Sequence, residues 1–147
     1  MRWLAWWLAG GAVLLLGCSE PHEQVMGSTA DGRFSLTLQA EKNWVRPGES
    51  LPIQVRIESL TGPLAQGLVD TLRLVANNGA VYPSRVVVDF AGAADSVWAA
   101  PRTSYVNWAY FTASVRLAEG TQGEVYASFL DALATLKIRI VPSPDSL

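Results

Sequence analysis

From residue 34 onward the chain alternates apolar and polar residues in steps of two, and that period decides what it can fold into. Phe34, Leu36, Leu38 and Ala40 alternate with Ser35, Thr37 and Gln39, and Leu51, Ile53, Val55 and Ile57 with Pro52, Gln54, Arg56 and Glu58. Successive side chains of a strand point to opposite faces, so each run makes one apolar face and one wet face. The same pattern returns with Leu72 and Leu74 in residues 71–76, and with Val86, Val88 and Phe90. A long strand over residues 105–117 carries Ala109, Phe111, Ala113, Val115 and Leu117 on one face. Val125, Ala127 and Phe129 follow, then Ala134, Leu136, Ile138 and Ile140. Arg46-Pro47-Gly48-Glu49 is built for a turn, with proline fixing φ and glycine free to reverse the chain. Asn77-Asn78-Gly79 predicts another reversal. No amphipathic helix of three turns follows the first eighteen residues. About seven antiparallel strands over residues 33–142 predict an all-β, two-sheet sandwich.

The first eighteen residues are of a different kind. Arg2 is the only charge before Glu20, and residues 3–17, WLAWWLAGGAVLLLG, are apolar or glycine throughout. As a helix this stretch spans about 22 Å, against about 30 Å of bilayer hydrocarbon. A positive start, a short apolar run and small residues is the layout of a secretory signal. Leu15-Leu16-Gly17-Cys18 resembles the bacterial lipobox. The resemblance implies a signal helix over residues 1–17, cleavage before Cys18, a diacylglyceryl group on its sulfur and acylation of the new amino terminus. Three acyl chains, at about 0.8 kcal/mol per buried methylene, hold a protein permanently on a bilayer. Ser19 resembles the residue found there in outer-membrane cargo. Residues 18–32, with Glu20, Pro21, His22, Glu23, Gly27, Ser28, Asp31 and Gly32, read as a lipidated tether. Residues 143–147 are a short C-terminal tail.

The stretch Val45-Arg46-Pro47-Gly48-Glu49-Ser50, running into Leu51-Pro52-Ile53-Gln54-Val55, is similar to the V-x-P-G-E-S opening of bacterial immunoglobulin-like domains of the invasin and intimin type. Gly120-x-x-Gly123-Glu124-Val125-Tyr126-Ala127-Ser128, followed by residues 134–141, resembles their closing hairpin. The likeness covers about residues 33–142 and implies an immunoglobulin-like sandwich with a structural, adhesive or partner-binding role. The antibody-type Cys–Trp–Cys core is absent, so apolar packing alone must join the sheets.

Composition narrows the function. Eleven basic residues stand against thirteen acidic ones, a net charge of −2, and the arginines are dispersed, so no nucleic acid is expected as a partner. With one histidine and one cysteine, neither a Cys/His zinc site nor a disulfide framework can be built. His22 between Glu20 and Glu23 supplies no fixed metal geometry. No nucleophile stands in a G-x-S-x-G and no glycine loop matches a phosphate cradle. Asp70, Asp89, Asp95, Glu119, Glu124 and Asp131 all sit at turns or on wet faces. No enzyme, metal or cofactor is expected. The alternatives are an assembly factor using a sheet edge or, further off, a hydrolase with paired carboxylates.

Two residues break the wet-face rule. If Phe111 and its neighbours are core, Trp108 and Tyr110 stand on the opposite face of the same strand. Either they contact a partner, an envelope protein or a glycan, or the segment from Trp98 to Tyr105 folds over them as a satellite core. The expected location is the bacterial envelope, on the outer membrane.

Overall fold

The computed structural model describes residues 23–62, 69–90, 103–117 and 120–141. Ten strands occupy most of them: β1 (Glu23–Ser28), β2 (Phe34–Ala40), β3 (Trp44–Val45), β4 (Ser50–Ser59), β5 (Val69–Asn77), β6 (Gly79–Tyr82), β7 (Arg85–Asp89), β8 (Ser104–Ala113), β9 (Gln122–Phe129) and β10 (Ala132–Ile140). No helix occurs among the described residues. The expected signal helix lies outside them.

The strands form two five-stranded sheets. Sheet A has the order β1-β2-β4-β8-β6 and sheet B the order β3-β10-β9-β5-β7. Their inner faces share one core, a sandwich-like arrangement. All seven expected strands are present, and the alternation holds: Leu36, Leu38, Ile53, Val55, Ile57, Leu72, Val88, Phe111, Val125, Leu136 and Ile138 are buried. Phe34, Phe90 and Phe129 form an aromatic cluster with ring centroids 5.5, 5.8 and 6.3 Å apart. Phe111 lies between two strands that carry glycine where it passes. A Cβ on Gly79 would stand 2.6 Å from its ring, and one on Gly123 2.7 Å.

Three strands exceed the expected seven, and each has a physical reason. Glu23–Ser28, inside the segment expected as a tether, forms β1 and pairs antiparallel with β2 from Glu23 opposite Ala40 to Ser28 opposite Ser35. Its Gly27 lets the strand come against the backbone of β10, where an added Cβ would overlap the Leu133 carbonyl. The two-residue β3 pairs with the end of β10, and this pairing is parallel rather than antiparallel. After β5 the chain does not reverse at Asn77-Asn78-Gly79 into a hairpin. Asn78 takes a left-handed φ of 58°, and β6 crosses to sheet A to pair with β8. Asn78 Nδ2 donates to the Gln122 carbonyl at 2.8 Å, which holds this crossing.

The long strand is shorter than its alternation suggested. It ends at Ala113, whose carbonyl accepts the Gly48 amide at 3.0 Å. Val115, expected in the apolar face, is 71% exposed. The Arg46–Glu49 turn forms as expected. Gly48 has φ 77°, the Glu49 amide donates to the Arg46 carbonyl at 3.0 Å, and Glu49 Oε2 accepts the Arg46 amide at 3.0 Å. That last bond, with Lys42 nearby, holds the Glu49 carboxyl below its ordinary pKa. Trp44 is half-buried, with Lys42 Nζ 3.9 Å from its ring centroid.

The β1–β2 turn is closed by side chains. Thr29 Oγ1 donates to Asp31 Oδ1 at 2.7 Å and accepts the Phe34 amide at 3.0 Å, and Asp31 Oδ1 accepts the Arg33 amide at 3.1 Å. The Ala30 amide reaches Asp131 Oδ2 across the sandwich at 3.0 Å. The Thr29 hydroxyl, the Arg33 amide and the Arg33 side chain hold the Asp31 carboxyl down at about 2, from 3.8. A carboxyl depressed on folding stabilises the fold above its unfolded pKa, and that contribution is lost as pH falls through the folded value. The turn therefore holds above pH 3.8 and loosens toward pH 2. In an amide NMR titration the Arg33 and Phe34 signals of the intact protein should move with a midpoint near the depressed value. In Asp31→Ala they should not move over that range.

Candidate functional site

The outer face of sheet A is built by strand register. On β8 the inward residues Ala109, Phe111 and Ala113 are buried, and the intervening residues point away from the core. Trp108 and Tyr110 are each 47% exposed, and Tyr82 on the neighbouring β6 is 78% exposed. Tyr82 lies directly opposite Tyr110, and Tyr110 lies opposite Pro52 on β4. The two tyrosines and the tryptophan therefore stand on one face of two adjacent strands. Trp108 and Tyr110 stand where the sequence placed them. Of the segment from Trp98 to Tyr105, expected as the alternative cover, residues 98–102 lie outside the described residues, and Tyr105 packs against the core.

Register also assembles a row that the linear sequence hid. Gln24 on β1 is opposite Gln39 on β2, Gln39 is opposite Gln54 on β4, and Gln54 is opposite Trp108 on β8. Three carboxamides in line thus end on the tryptophan. A shallow depression of about 200 Å³ runs over Gln24, Met26, Thr37, Gln39, Gln54, Arg56 and Glu58, and a smaller one of about 120 Å³ joins Gln39 and Gln54 to Trp108. Arg56 faces Glu58 at 3.4 Å, so the one cation of this row system meets an anion. Tyr82 and the glutamines were missed from sequence because each is one polar or aromatic residue on its own strand. Only pairing brings them together, and β1 and β6 were not expected as strands.

The remaining sequence candidates disperse. The Asp70 carboxylate accepts the Thr71 amide next to it, Glu124 accepts the Tyr126 hydroxyl, and Asp131 holds the Ala30 amide. These are turn and strand contacts. Asp95 and Glu119 lie outside the described residues. Among the described residues no group of three or more His, Cys, Asp and Glu could hold a metal ion. Among the described residues, the two carboxyls with lowered pKa, Asp31 and Glu49, serve backbone turns and not a cleft. His22 and the lipobox-like Leu15, Leu16, Gly17 and Cys18 also fall outside the described residues. No helix among those residues is long and apolar enough to cross a membrane. No model of a known protein family matches the chain, and no curated protein is significantly similar to it.

Proposed function

We propose that this is a lipid-anchored protein of the bacterial envelope whose domain is immunoglobulin-like and binds a partner through the outer face of sheet A. The observation that carries the binding role is the exposure of Trp108 and Tyr110 on a strand whose other face is core. Large flat aromatics bury much area with few rotors to freeze, which is why they concentrate at contacts.

The immunoglobulin-like assignment is supported by strand order. In chain order β2, β4, β5, β6, β8, β9 and β10 take the places A to G. A-B-E-D is then β2-β4-β8-β6, and G-F-C is β10-β9-β5. β1, β3 and β7 are edge additions to that frame. The anchor is supported by the lipobox-like motif and by its spacing. Cys18 precedes the first strand by five residues, a reach of at most about 18 Å. An anchored domain would stand close against the lipid surface, not on a long stalk.

Two experiments test this reading. Metabolic labelling with a fatty-acid analogue should mark the wild type and leave Cys18→Ala unlabelled. Equal label on both removes the anchor. A photoreactive residue at position 108 or 110 should cross-link an envelope component in cells, and one at Thr135 on the outer face of sheet B should not. Equal yields at the two faces remove sheet A as the contact.

A further inference from the structure

We propose that the Gln24-Gln39-Gln54-Trp108 row is a subsite for an uncharged glycan chain, with Tyr110 and Tyr82 as its aromatic flank. The inference rests on reading Trp108 as a contact residue and goes on to name the class of ligand. Neighbouring strands lie about 4.8 Å apart, so the row from β1 to β8 is about 14 Å long, the length of a short oligosaccharide laid across the strands.

The chemistry of the row fits that ligand. Each glutamine side chain offers an amide donor and a carbonyl acceptor, and none of the three carboxamides bonds to another described residue. A sugar hydroxyl both donates and accepts, so a line of free carboxamides matches a line of hydroxyls. The Trp108 ring at the end of the row supplies a flat apolar face for the C–H side of a pyranose ring, and the Tyr110–Tyr82 pair supplies a second. Charge argues the same way. The row itself is uncharged, and Arg56 is matched by Glu58. An anionic polymer or an anionic lipid surface would be drawn by unmatched cations; among the described residues this face presents none, and Glu41 adds an anion beside Trp108. A protein hot spot is centred on desolvated apolar anchors, whereas the centre here is amide.

The test uses the full chain in detergent, titrated calorimetrically with three neutral probes: chitohexaose, cellohexaose and mannohexaose. At least one should give a saturable heat. Trp108→Ala should weaken it at least tenfold, Gln39→Ala and Gln54→Ala severalfold each, and Thr135→Ala should leave it unchanged, with equal melting temperatures throughout. The proposal is overturned if no hexaose binds, or if Trp108→Ala binds like wild type. It is also overturned if, in vesicles of phosphatidylethanolamine and phosphatidylglycerol, brominated acyl chains quench the Trp108 component of the fluorescence, since the face then meets lipid. Failure of all three hexaoses with position 108 still cross-linking a protein would remove the glycan and leave the contact face standing.

Discussion

Phe111→Ala should cost about 3–5 kcal/mol of folding stability, enough to unfold much of a marginally stable domain. The ring is fully buried and reaches from sheet A to the glycine of β9, so its loss leaves a void between sheets rather than at an edge. The two flanking glycines make the site testable from both sides. Alanine at Gly123 would bring its Cβ 2.7 Å from the Phe111 ring and 3.5 Å from Ile140, so Gly123→Ala overfills the site and should cost about 1–3 kcal/mol. Phe111→Leu shortens the side chain toward the same spot. The double variant Phe111→Leu/Gly123→Ala should therefore lose less than the sum of the single losses. Urea unfolding of the four proteins measures the coupling. Strict additivity would show that the ring does not occupy this space.

Gly27→Ala should detach β1. The new methyl would overlap the Leu133 carbonyl, which is backbone and cannot swing aside. The strand must shift or leave. Its loss exposes the pairing edge of β2 from Ser35 to Ala40 and uncovers Val25, which packs on the core. The cost is bounded by what β1 contributes, because β2 to β10 can keep their own pairing after β1 opens locally. A loss of about 1–3 kcal/mol is expected, with amide hydrogens of β2 exchanging much faster and those of β9 unchanged. If β9 loosens equally, β1 is part of the cooperative core and not a cover.

The legibility of the fold follows from how each strand buries itself. β2, β4, β9 and β10 place an apolar residue at nearly every second position, and their faces were readable without any partner. β1 was not. Its sequence EQVMGS puts Glu23, Val25 and Gly27 on the half-buried face, with Val25 the one hydrophobic side chain among them, and Gly27 contributes by absence, through a close backbone approach that no hydrophobic pattern records. β6 was hidden behind Asn77-Asn78-Gly79, a turn signal that fits a hairpin. Here the left-handed residue is Asn78, and the chain changes sheets instead of reversing. Val115 and Leu117 continue the alternation of β8, but the Gly48 turn takes the Ala113 carbonyl and the ladder stops there.

The site divides the same way. Trp108 and Tyr110 share one strand, so their common face followed from period two alone. Tyr82, Gln24, Gln39 and Gln54 lie on four strands separated by long stretches of chain, and their alignment is a property of register. Register depends on turn geometry and on which strands exist, and two of the strands involved had no sequence signal.

The central claim is that Trp108 belongs to a contact surface and not to the core. Thermal unfolding of Trp108→Ala, run beside capture of the partner from cross-linked envelopes, tests it most directly. Substitutions at exposed positions usually change stability by about 0.5 kcal/mol or less, so the account predicts a melting temperature close to that of the wild type with capture abolished. A melting temperature lowered by several degrees, with capture falling only in proportion to folded protein, would contradict it.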